Sequence, residues 1–163
     1  MKILIISFQC VERQLKEEKM EISQNWKPIK LKAIDDQDLQ VFSQFLIESI
    51  VLPSEINFET KNQRFAMAIE RFTWEHAKGE SHLLMQVLSI LVINYVEKVD
   101  LKNISDGFKI KNILSISHID NNILIMLNDD EVITLKVKKC FCLLEDIGKP
   151  TYPSVIPVYS KND

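Results

Sequence analysis

Glycine is scarce in this chain, with three among 163 residues. Neither G-x-G-x-x-G nor G-x-x-x-x-G-K-[ST] can be written anywhere, so the glycine-rich loops that cradle phosphates are excluded. Cysteine is scarce too. Cys10, Cys140 and Cys142 make an odd number, and residues adjacent but one seldom reach disulfide geometry. That usage predicts a reducing, cytoplasmic compartment. An excess of one charge is missing: 20 Lys+Arg stand against 23 Asp+Glu, for a formal net charge of -3. No basic field is present to attract nucleic acid, and no acidic block reads as a tail. The longest apolar run, residues 83–96, is broken by Gln86, Ser89 and Asn94 and falls short of the roughly 20 residues that cross a bilayer. The apolar start, Ile3 to Ile6, is too short for an export signal and has no small-x-small cleavage site. Neither a nucleic-acid nor a membrane partner is expected, and no cofactor motif is present.

What the chain has is apolar residues, 46% of the total, enough to bury a sizeable core in one domain. Residues 1–25 differ from the rest, with a charge-dense stretch at 12–21, and read as an N-terminal extension. Residues 26–150 read as the globular domain and 151–163 as a loose tail.

Within the domain, residues 28–34 alternate Ile29, Leu31 and Ala33 with Lys30 and Lys32, the period of a strand with one solvated face. Asp35 is a helix N-cap, with Asp36 and Asp38 favourably placed in the first turn. Leu39, Phe42, Phe45 and Leu46 form the apolar stripe of the helix that follows. Strands are expected at 56–59 and 64–74 around the turn Thr60-Lys61-Asn62. Residues 83–99 read as a long, bent strand because they are rich in β-branched residues, although a helix stays open there. Residues 113–119, 123–127 and 132–137, joined by Asp- and Asn-rich turns, read as consecutive hairpins. A closing helix is expected over 138–147, from Val137, Phe141, Leu144 and Ile147, with Gly148 as its C-terminal stop and Pro150 beyond. The expected fold is α+β: an antiparallel meander of about seven strands, a bent sheet or barrel-like sandwich. One helix follows strand 1 and one closes the C-terminus, an arrangement that resembles a pleckstrin-homology-type fold.

Leu31-Lys32-Ala33-Ile34-Asp35, Gln63-Arg64-Phe65-Ala66 and Arg71-Phe72-Thr73-Trp74-Glu75 resemble domain-of-unknown-function family 2948. The ending Leu144-Glu145-Asp146-Ile147-Gly148-Lys149-Pro150 is similar as well. The likeness covers roughly residues 27–150, and its most specific element is Arg-Phe-x-Trp-Glu. It implies a bacterial cytosolic protein and carries no activity.

Chemistry is sparsely marked. His76 and His82 flank a loop that also holds Glu75 and Glu80, but they lack the spacing of a known metal motif. Cys140 and Cys142 sit beside Phe141, Leu143 and Leu144 and read as small core residues. Ser81-His82 and Ser117-His118 are adjacent pairs; on a strand, adjacent side chains point to opposite faces. The carboxylate pairs are Glu70/Glu75, at odd spacing, and Asp129/Asp130, in a turn. No catalytic, cofactor-binding or metal-ligating residue is assigned. What remains is a candidate interaction surface of Arg64, Glu70, Arg71, Trp74, Glu75 and His76, since Trp and Arg are favoured anchors. Regular alternation places Arg71 on the apolar face, which is costly unless it is paired or a bulge near Glu70–Phe72 turns it outward. A bulge is expected. The leading functional expectation is a non-catalytic module that binds a protein partner or self-associates. The alternative is a small-molecule-binding domain or hydrolase using the His76/His82 loop.

Overall fold

The structure is a computed structural model that describes residues 12–18, 20–21, 24–77, 79–80 and 83–153. Strand β1 (Lys30–Ala33) leads into helix α1 (Asp36–Leu46). The Asp35 carboxylate accepts the Asp38 N–H at 2.9 Å, and the Asp38 carboxylate accepts the Ile34 N–H at 2.9 Å. Two donors left over at the helix start are thereby satisfied reciprocally. Leu39, Phe42 and Leu46 are buried along one face of α1.

Nine more strands follow: β2 (Ile50–Val51), β3 (Ile56–Glu59), β4 (Arg64–Phe72), β5 (Gln86–Ile93), β6 (Val96–Asp100), β7 (Lys111–Ile119), β8 (Asn122–Leu127), β9 (Val132–Val137) and β10 (Cys142–Asp146). A single helical turn, α2 (Trp74–Ala77), follows β4. The sheet runs β1-β10-β5-β4-β2-β7-β8-β9-β6, with β3 also paired to β4. Every pairing is antiparallel. The fold is therefore α+β and mostly antiparallel sheet. One core joins both halves of it, through Phe65, Ile93 and Leu144 on one side and Ile113, Ile125 and Leu135 on the other, with α1 packed in between. No helix among the described residues is long and apolar enough to cross a membrane.

Four expectations are corrected, the last of them over residues 83–99. Ten strands are present among the described residues, not seven, and the sheet is open, with β1 and β6 at its ends. The closing helix is instead strand β10. Cys140, Cys142, Leu144 and Asp146 are buried at period two, and this pattern outweighs the helical spacing of Phe141, Leu144 and Ile147. β10 fills the slot between β1 and β5, so the C-terminal plug of the expected barrel-like sandwich is absent. Gly148 does not stop a helix. It lets the chain pass against β5, where an added Cβ would sit 3.3 Å from the Cβ of Leu88. In addition, β4 pairs with β5 without interruption from Phe65↔Ile93 to Phe72↔Gln86, so the bulge expected near Glu70–Phe72 does not form.

Residues 83–99 do not form one strand. They divide at Asn94–Tyr95, where Tyr95 takes φ 61, into β5 and β6. The chain leaves one half of the sheet there and joins the other beside β9. Beyond β10, Thr151 exchanges two backbone hydrogen bonds with Gln86, at 2.8 and 2.9 Å.

Candidate functional site

Along β4, Phe65, Met67, Ile69 and Arg71 point to the core, and Arg71 is fully enclosed. An unpaired guanidinium there would be prohibitive, and the surrounding structure pairs it completely. Arg71 Nε donates to Asp146 Oδ1 and Nη2 to Asp146 Oδ2, both at 2.8 Å. Nη2 and Nη1 donate to the two Glu75 oxygens at 2.8 and 3.0 Å, and Nη1 also donates to the Phe72 carbonyl at 3.1 Å. All five N–H groups of the fork are used. The Asp146 carboxylate also accepts the Ser89 hydroxyl at 2.7 Å and the Ile29 N–H at 2.9 Å. Burial pushes Asp146 up, but hydrogen bonds from Arg71, Ile29 and Ser89, with the Arg71 charge, hold it below its ordinary value. The Trp26 and Phe45 rings flank the guanidinium, with centroids 5.9 and 5.8 Å away.

The expected surface is split by this arrangement. Arg71, Trp74, Glu75 and His76 come together. Trp74 is half-buried and donates its indole N–H to the Ile47 carbonyl at 3.0 Å. The His76 ring lies 5.3 Å from that of Trp26. Glu75 keeps an exposed edge and lines a cavity of about 230 Å³ with Gln44, Phe45 and Trp74. Arg64 lies at the far end of β4, bonded to Glu59 at 3.0 Å. Glu70 faces the opposite side of the sheet. With Arg71 enclosed, no partner can touch the proposed central anchor. His82, Ser81 and Cys10 lie outside the described residues.

A second buried cation went unremarked in the sequence. Lys111 opens β7 and is enclosed, 3.0 Å from both the Asp129 and Glu131 carboxylates. The turn that delivers them holds Asp129 and Asp130 at φ 62 and 57, a region in which Asp is more at ease than most residues. Glu131 Oε1 accepts the Ser105 hydroxyl at 2.6 Å and its N–H at 3.1 Å. Hydrogen bonds from Ser105 and from Lys111 pull Glu131 down to about 2.

The outer face of β4 and β5 is different. Leu88 is 41% exposed, and an apolar cleft of about 300 Å³ opens beside it. Ile50, Leu52, Ala68, Leu88 and Ile110 line it, with Glu55 and Glu70 at its margin. Ile110 is 63% exposed, and Phe108, two residues before it, is 83% exposed. Neither Glu55 nor Glu70 has an ion-pair partner among the described residues. A third hollow, at the start of α1, is lined by Asp35, Asp36, His118, Lys139 and Cys140. No cluster of three or more His, Cys, Asp or Glu side chains that could hold a metal ion occurs among the described residues.

The model of the DUF2948 family, described as proteins of unknown function, matches residues 29–158, or 130 of the 163 residues. No curated protein and no solved structure matches. The match takes in all ten described strands and helices α1 and α2, including Arg71, Glu75 and Asp146, which build the enclosed ion pair; the chain belongs to the DUF2948 family.

Proposed function

We propose that this protein is a non-catalytic interaction module, and that its contact surface is the outer face of β4 and β5. One observation carries this reading: a cleft with an apolar floor lies open on the sheet, with the exposed side chains of Leu88 and Ile110 along it. Apolar surface left in water is an unused source of binding free energy, at roughly 25 cal/mol per Å² covered. The cavity that Glu75 borders beside the Arg71 network is smaller, about 230 Å³. Every Arg71 donor is occupied, so that group holds strands together and has nothing left for a ligand. Glu55 and Glu70 define the chemistry of the occupant. A partner segment with an aliphatic or aromatic side chain followed by Lys or Arg fills the floor and pairs with the rim. The described cysteines, Cys140 and Cys142, are both free thiols, which supports a cytoplasmic setting for the encounter.

A photo-crosslinking residue at position 110, in the cell that makes the protein, tests this reading. The expected outcome is a discrete covalent adduct with another protein or a second copy, lost when Leu88→Glu is added. The same crosslinker at position 61, in the turn between β3 and β4, should give none. Identical adduct patterns from positions 110 and 61 would overturn the reading.

A further inference from the structure

The outer face carries exposed apolar side chains at both ends of the cleft. Asp146 stands opposite Ser89, so Ile147 falls beside Leu88, whose carbonyl accepts the Ile147 N–H at 2.9 Å. Ile147 is exposed. Toward β7, the Gly107 carbonyl accepts the Ser54 N–H at 2.8 Å and ties the loop before β7 to the turn Pro53–Glu55. Phe108, the next residue, therefore stands at the Glu55 margin of the cleft, almost wholly in solvent. The strands in between run β10, β5, β4, β2, β7. At about 4.8 Å per strand, the two ends lie roughly 19 Å apart, a span that suits a second protein surface better than a small molecule.

The charges differ between the ends. Lys149, two residues past Ile147, is exposed and has no ion-pair partner among the described residues. Glu55 lies at the β7 end, and Glu70 lies between, opposite Leu88 on one side and Ile50 on the other. Lys109 follows Phe108, and its contact with Asp129, at 3.6 Å, lies in solvent and costs little to give up.

We propose that the occupant of the outer face is a second copy of this chain, in a two-fold dimer in which Phe108 of each copy packs into the cleft of the other beside Leu88; the assignment rests on that face being the contact surface. A two-fold contact requires one patch to carry both knob and hole, and this patch carries both. An axis along β4 lays the β10 end of one copy over the β7 end of the other. Phe108 then meets Leu88 and Ile147, and Lys149 meets Glu55. Lys109 arrives beside Glu70 and offsets the two Glu70 carboxylates that the axis brings near each other. An apolar side chain followed by a lysine is the segment the cleft and its rim select, and Phe108-Lys109 is such a segment. Each ring takes about 150–250 Å² out of water, twice in one interface.

Sedimentation of the purified full chain over a concentration series tests the proposal. Native protein should show a monomer–dimer equilibrium. Phe108→Ser and Leu88→Glu should each weaken it by at least about tenfold, and Phe108→Ser, at a side chain 83% exposed, should keep a native denaturation midpoint. Mixing the two variants should restore part of the dimer, because the mixed pair keeps one intact contact, Phe108 of one copy against Leu88 of the other. Native protein that stays monomeric at every concentration would overturn the proposal. So would a dimer that Phe108→Ser leaves unchanged, or two variants that fail to complement each other. A monomeric chain whose adduct from position 110 contains a different protein would remove the second copy and leave the outer face as the contact surface. Identical adducts from positions 110 and 61 would remove the contact surface itself.

Discussion

On its inner face, β4 presents Phe65, Met67, Ile69 and Arg71, none more than 1% exposed. On its outer face, the same nine residues present Ala66, Ala68 and Glu70 to solvent or half-exposed, beside Leu88 and the open cleft. The inner face is closed chemistry. Its apolar side chains meet α1, β7 and β10, and its one charge is bonded at every donor. The outer face has an open apolar floor and, among the described residues, carboxylates without ion-pair partners. A strand of alternating character thus separates the residues that hold the fold from those available for recognition, and the most conspicuous polar residue falls on the holding side. An arginine beside a tryptophan in a sequence invites reading as an anchor; the structure makes it a clamp between β4, β10 and α2.

The largest effect expected from breaking this contrast is on the inner side. Arg71→Ala leaves Asp146 buried beside an empty space and should cost about 3–5 kcal/mol, the scale for removing one partner of a buried ion pair, read by chemical denaturation. Replacing Arg71 and Asp146 together with Leu should cost much less than the sum of the single changes, since both charges go. Trp74→Ala should cost about 2–3 kcal/mol, below the ~3–5 kcal/mol of a fully buried aromatic, because Trp74 is half-exposed and loses one hydrogen bond to Ile47.

The acid limb of the stability profile gives the next effect. Asp146 and Glu131 are both held below their ordinary values, Glu131 at about 2 against 4.5. A depressed carboxylate adds stability that is present above its unfolded pKa and is lost as pH falls through its folded pKa. For Glu131 that window runs from about 4.5 down to about 2. Glu131→Gln should flatten this part of the curve, as measured by denaturation midpoints across pH. The smallest effect on stability belongs to the outer face. Ile110→Glu should change the folding free energy by no more than about 0.5 kcal/mol, since the side chain is already 63% exposed.

Local signals carried a good part of this. The alternation along β4 placed Arg71 on the apolar face, and the Asp35 cap and the stripe Leu39, Phe42 and Leu46 marked α1. The Asp- and Asn-rich turns marked the hairpins of β7, β8 and β9. Residues whose meaning depends on distant strands were not legible. Cys140 to Ile147 fits a helix by spacing, and only the open slot between β1 and β5 makes it strand β10. The bulge expected near Arg71 was the local remedy for a buried charge. The molecule uses a non-local one, a carboxylate 75 residues away. Ser89 and Asp146 gave no motif for the same reason. The cleft draws on β2, β4, β5 and the segment before β7, so no single stretch of sequence announced it.

The most direct measurement compares partner capture with stability in two variants. Leu88→Glu alters the outer face, and Glu75→Gln with His76→Ala alters the exposed edge beside Arg71. Each is followed by crosslinking in the cell and by a denaturation midpoint. The outer-face variant should lose the adduct and keep a near-native midpoint, and the Glu75/His76 variant should keep the adduct with a lowered midpoint. An adduct that survives the outer-face change and disappears with the Glu75/His76 change would contradict the account.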